Sequence, residues 1–167
     1  MKQLKITCLL LGFFCLSQLS HASAYPPTQT AAGFVLGEPT AFTGKYWLDP
    51  GNAIDAQLGY SFGKYFVLYG DYLWHFDPDF LGDSEFVKQM VVYLGAGGGF
   101  RFSTQAEGKR KADDDGSVEF FARVPAGAEW FPSQTPLGVY FEVAPGFRLV
   151  PGLRGLLNVG LGARYYF

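Results

Sequence analysis

Cysteine is confined to Cys8 and Cys15, both within the first sixteen residues of a 167-residue chain. The remainder has no thiol, which excludes disulfides, thiolate metal sites and cysteine nucleophiles there. Charge is scarce, at 17% of residues, and no basic patch rises out of it, so a nucleic-acid partner is not expected. Past the N-terminal segment, no apolar stretch approaches the ~20 residues that a spanning helix needs. His75 is the one histidine after His21.

The N-terminal segment reads as an address. Lys2 and Lys5 form a basic start, residues 6–16 an apolar run, and Ala22-Ser23-Ala24 supplies the small residues a signal peptidase recognises. Cleavage is expected before Tyr25, making 1–24 a signal peptide and 25–167 a single domain. A retained anchor helix is disfavoured because the apolar run is too short. Gly12-Phe13-Phe14 before Cys15 is a poor match to a lipoprotein signal.

Glycine, phenylalanine and tyrosine are abundant, at 22, 17 and 10 residues, and they fall in segments of strict alternation. Side chains of a strand point to opposite faces in turn, so alternation of apolar with polar residues marks a two-faced strand. Reading back from the C-terminus, Phe167, Tyr165, Ala163, Leu161, Val159 and Leu157 form one face. Eight such segments are expected: 32–37, 41–48, 53–62, 65–76, 90–102, 118–130, 137–150 and 153–167. Asp49-Pro50-Gly51-Asn52 is strong turn chemistry between the second and third. The fold class is therefore all-β, an eight-stranded antiparallel up-and-down barrel.

One face of these strands is apolar throughout, including Phe42, Tyr46, Ile54, Leu58, Phe66, Leu68, Tyr72 and Phe147. The other carries every charge: Lys45, Arg101, Arg123, Arg148 and Arg164 against Asp55, Asp71, Glu119, Glu129 and Glu142. A soluble barrel would turn the charged face to water. The sparse charges and the aromatics gathered near strand ends (Tyr46, Trp74, Phe76, Trp130, Tyr165, Phe167) instead place the apolar face in lipid. An eight-stranded barrel has room only for its own side chains. Five cations against five anions should therefore pair across the interior as a polar plug, with a gated ion path as the alternative.

On these residues the chain resembles the small outer-membrane barrels of the OmpA/OmpX type, over essentially all of 31–167. The most specific part is the C-terminal assembly signal, matched by Gly162, Tyr165 and Phe167, with Gly160 where a polar residue is usual. The resemblance implies a bacterial outer-membrane location and a C-terminal strand read by the barrel-assembly machinery. It also implies termini on the periplasmic side and a monomer among membrane lipids and lipopolysaccharide. That topology puts 103–117 outside and gives the periplasmic side an unusually long connection at 77–87, read as a packed lid or a misplaced strand boundary. Pro125 and Pro145 cannot donate ladder hydrogen bonds and are expected to mark bulges.

Few residues are arranged for chemistry. Lys109, Arg110 and Lys111, followed by Asp113, Asp114 and Asp115, would suit phosphorylated lipopolysaccharide and its bridging cations, or form an ordinary solvated loop. The acids lack the spacing of a calcium loop, so no metal site is expected. Lipid-A-modifying enzymes are also eight-stranded barrels, but His75 has no serine at a catalytic spacing and is read as an inward structural residue. Gly95 to Gly99 lacks the Lys-Ser/Thr of a phosphate loop; close packing or clearance for Arg123 explains it better. No cofactor and no catalysis are expected. The role expected is structural or surface-interactive, with a narrow channel as the alternative and an enzyme after that.

Overall fold

The alternation of the sequence becomes the wall of a closed barrel. The computed structural model describes residues 28–61, 65–103, 118–132 and 135–167. Its strands are β1 (Thr30–Glu38), β2 (Thr40–Asp49), β3 (Asn52–Ser61), β4 (Tyr65–Phe76) and β5 (Met90–Ser103), then β6 (Val118–Arg123), β7 (Ala126–Trp130), β8 (Leu137–Val150) and β9 (Arg154–Tyr166). All pairings are antiparallel, and β1 closes the sheet on β9 through the register Ala31↔Tyr166 to Glu38↔Val159. β6 and β7 lie end to end between β5 and β8, so together they are one stave of an eight-stranded barrel.

Both prolines leave the register intact, contrary to the bulges their sequence positions imply. Arg123↔Gly146 and Ala126↔Val143 belong to one continuous alignment across them. Each proline still accepts a ladder bond: the Gly95 N–H donates to the Pro125 carbonyl at 2.7 Å, and Val124 N–H to that of Pro145 at 2.9 Å. The missing donor therefore costs one bond without requiring an extra residue. The register shift of this stave lies instead between Phe120 and Phe121, which pair with Val150 and Arg148.

The faces separate cleanly. In β3, Ala53, Asp55 and Gln57 are at most 2% exposed, whereas Ile54, Leu58 and Tyr60 are 46%, 56% and 41% exposed. Between the strand ends the outward wall carries no charged side chain. The interior is closed near the chain termini by an apolar cluster that includes Trp47, Val91, Phe131 and Tyr166. A smaller one, Val67, Tyr69 and Phe121, lies towards the other end. The space between holds the buried charges.

Turns follow local chemistry. The Asp49 carboxylate accepts from the Gly51 N–H at 2.8 Å and from the Asn52 amide at 2.9 Å, pinning the β2–β3 hairpin. The connection between β4 and β5 is as long as the sequence implied. It contains a 3-10 turn, Asp79–Leu81, and a one-turn helix α1, Glu85–Lys88, whose Ser84 hydroxyl caps the Val87 N–H. It is not a lid, because residues 79–86 are all exposed.

Candidate functional site: the charged interior

Each inward charge reaches the lumen because its strand is in phase with the wall, and the closed barrel then makes distant strands face one another. Glu129 on β7 is the hub of the group nearest the termini. It accepts from the Lys45 ammonium of β2 at 2.6 Å and from the Tyr166 hydroxyl at 2.7 Å, and lies 3.6 Å from the Arg164 guanidinium of β9. Arg164 also pairs with Asp55 of β3 and donates to the Thr43 hydroxyl at 2.9 and 3.1 Å. The Thr43 hydroxyl in turn donates to Asp55 at 3.0 Å. The side chains of Lys45, Asp55, Glu129 and Arg164 have no solvent exposure. Charges removed from water this fully must compensate one another, because each carries a desolvation penalty of several kcal/mol.

A second group sits beside it. Arg123 of β6 grips Asp71 of β4 with two nitrogens, at 3.0 and 2.5 Å, and reaches Glu142 of β8 at 2.9 Å. Tyr93 donates to Glu142 at 2.9 Å. Gln57 bridges the two groups, donating to Asp55 at 3.3 Å and accepting from the Tyr69 hydroxyl at 2.7 Å. The planar guanidinium groups of Arg123 and Arg164 each lie 3.8 Å from a tyrosine ring, Tyr69 and Tyr140. Stacking of this kind suits arginine and would be lost with lysine. A third group, partly exposed at the end away from the termini, has Glu119 between Arg148 at 2.5 Å and Arg101 at 3.5 Å.

All ten charges singled out in the sequence thus lie inside and make ion pairs with one another. The tyrosines and Thr43 that complete their hydrogen bonds were not singled out, although they share the same phase and could have been. Glu38, which accepts from Ser61 and Tyr65 at the mouth, is the last residue of β1 and gave no signal because the sequence places it in the turn before Thr40. His75 is buried, with its Nε2 atom 2.9 Å from the Lys45 ammonium and its ring 4.1 Å from that of Trp47. No serine is among its hydrogen-bond partners in the described residues. Among those residues, too, no group of three or more His, Cys, Asp or Glu is placed to hold a metal ion. Lys109, Arg110, Lys111, Asp113, Asp114 and Asp115 lie outside the described residues, as does the proposed signal peptide.

The glycines have specific reasons. Gly162 faces Tyr140 across the β8–β9 ladder, and a Cβ there would meet the Tyr140 ring at 2.3 Å. Tyr165 and Phe167, its partners in the C-terminal pattern, point outward and are exposed. At Gly97 a Cβ would lie 2.1 Å from the Asp71 carboxylate and 2.2 Å from the Gly70 carbonyl, so the glycine allows β4 to pack closely. Gly97→Ala is expected to destabilise the barrel by about 1–3 kcal/mol through overpacking, read as a lower urea midpoint. An unchanged midpoint would show that β4 and β5 can separate there.

A closed eight-stranded antiparallel barrel with an uncharged apolar exterior and paired interior charges has the fold of the small outer-membrane barrels. Among solved structures, the chain is similar to the N-terminal β-barrel domain of Pseudomonas aeruginosa OprF. The TM-score is 0.60 at 15% identity, over 84% of this chain and 98% of that one. It also matches Neisserial surface protein A (NspA) with a TM-score of 0.46 at 12% identity, over 83% of this chain and 93% of that one. No family model matches the sequence, and no curated protein matches it.

Proposed function

We propose that the protein is an outer-membrane barrel of the bacterial envelope with a structural or surface-interaction role and no catalysis. The observation that carries this is the inversion of the wall: large apolar side chains outside, every mid-strand charge inside. Burying a Leu or Phe side chain is worth about 1.5–3 kcal/mol, so a wall of them standing in water would forfeit the main driving force for folding. Lipid removes that penalty, and it also explains the missing charges, since a midplane Arg or Lys facing lipid costs ~2–4 kcal/mol.

In this reading residues 1–24 direct export and are removed. The strand ending in Gly162, Tyr165 and Phe167 engages the assembly machinery, and the barrel stands as a monomer in the membrane. Its termini face the periplasm, so residues 104–117 meet lipopolysaccharide, where Lys109 to Lys111 find phosphates and Asp113 to Asp115 the bridging cations. The fully buried layer of Lys45, Asp55, Glu129 and Arg164 supports a plug over a channel, because it leaves no solvent-lined route at that level.

Membrane fractionation followed by gel mobility with and without boiling tests the proposal. Outer-membrane protein that migrates differently after boiling is expected. Soluble protein with no shift would overturn it, and stepwise conductance in planar bilayers would replace the plug with the narrow channel.

A further inference from the structure

The connection between β4 and β5 is unlike the other described connections. It runs through 77–89, whereas β2 and β3 are joined by a four-residue Asp-Pro-Gly-Asn turn. Three of its apolar side chains are not folded inward: Phe80 is 77% exposed, Leu81 54% and Phe86 56%. They have no place in the lumen, because that end is already filled by Trp47, Val91, Phe131 and Tyr166.

The segment is fixed to the outside of the rim. The Phe86 ring lies 5.6 Å from that of Trp130, whose neighbour Glu129 points inward and which therefore points outward. Gln89 holds this position twice, accepting from the Trp130 indole at 3.3 Å and, through its carbonyl, from the Phe131 N–H at 2.8 Å. Phe86 thus extends the outward aromatic row of Trp74, Phe76 and Trp130 beyond the end of the strands. The connection's acids (Asp77, Asp79, Asp83 and Glu85) outnumber its single base, Lys88.

We infer that this connection is a membrane foot, which lies in the headgroup layer at the terminal end of the barrel and inserts Phe80, Leu81 and Phe86 into zwitterionic phospholipid. The inference rests on the membrane reading above. Aromatic side chains favour the boundary between hydrocarbon and water, and a short amphipathic segment binds there through its apolar area. The acidic balance sets the lipid class. An anionic surface attracts basic segments and repels this one, so insertion is apolar and is weakened by anionic lipid.

The test uses the chain from Tyr25 onward, which has no cysteine of its own, folded in phosphatidylcholine vesicles with brominated acyl chains. An environment-sensitive fluorophore is attached at Phe80→Cys, Phe86→Cys, Asp83→Cys among the acids, or Leu58→Cys on the wall. Labels at 80 and 86 are expected to be quenched several-fold more than at 83 and to approach the quenching at 58. Added phosphatidylglycerol is expected to reduce the effect at 80 and 86 only. Quenching at 58 with 80 and 86 no different from 83 overturns the foot and leaves the barrel in the membrane. No quenching at 58 overturns both. Blue-shifted but unquenched emission at 80 and 86 would show that protein, such as a second copy of the chain, covers them, and would also overturn the foot. Stronger quenching with phosphatidylglycerol would contradict the charge argument.

Discussion

Glu129→Leu is expected to cost the folded barrel about 3–5 kcal/mol, the range for breaking one side of a buried ion pair. The carboxylate serves Lys45, Arg164 and Tyr166 together, and none of the three has water to turn to. Lys45 would keep its 2.9 Å contact with His75 and its place over the Trp47 ring but no carboxylate partner, while Arg164 would retain Asp55 and Thr43. The double variant Lys45→Met/Glu129→Leu removes the stranded cation and its partner together, and is expected to recover a large part of the loss. Urea unfolding followed by tryptophan fluorescence is a suitable readout, because Trp47 lies against this group, 4.5 Å from the Lys45 ammonium. A single-variant cost below about 1 kcal/mol, the size typical of exposed pairs, would mean that water reaches this layer and the plug is open.

The second large effect concerns the opposite face. Leu58→Arg is expected to destabilise the barrel in phospholipid by ~2–4 kcal/mol, whereas Leu48→Arg, at the end of β2, should cost only ~0–1 kcal/mol. Both leucines point outward, at 56% and 44% exposure, so contact with solvent does not separate them. Depth in a bilayer does. Were the wall in water, both substitutions would fall within about 0.5 kcal/mol of neutral, as surface changes ordinarily do. Equal small effects at the two sites would therefore contradict a membrane position for β3.

The strands and their two faces were legible because alternation is a local signal that survives at any register. Pairing was not, as Lys45 illustrates. In the β2–β3 ladder it stands directly opposite Asp55, yet its carboxylate partner is Glu129, on the far side of the barrel and 84 residues away. Asp55 faces a like charge, Asp71, in the β3–β4 ladder. Each of the two acids takes its own arginine, Arg164 for one and Arg123 for the other. Long side chains crossing a narrow lumen decide these partners, and strand neighbours do not. Arg101 and Glu119 are the contrasting case, opposite in the ladder and paired.

Register also created features that no single strand announces. Outward Ala32, Gly44, Ala56, Gly70, Gly98 and Ala122 are successive cross-strand partners, so they form a belt of small residues across six of the eight staves. Phe34, Phe42, Leu58, Leu68, Phe100 and Phe120 form the ridge beside it by the same pairings. Pro125 and Pro145 misled for a related reason. A proline lacks a donor wherever it stands, but whether that shifts the ladder depends on what its carbonyl can still accept from the strands beside it. Residues 77–89 carry no periodicity to read, and their side of the barrel follows only from the contact of Phe86 with Trp130.

The most direct test of the inverted wall is collision accessibility of spin labels in phospholipid vesicles. Labels at Phe42, Ile54, Leu58 and Tyr72 cover three adjacent strands, and a label at Arg154, exposed at the start of β9, provides a polar reference. The four outward labels are expected to collide with oxygen and to be shielded from a water-soluble nickel chelate. Free collision of the chelate with all four would put the apolar wall in water and contradict its place in lipid.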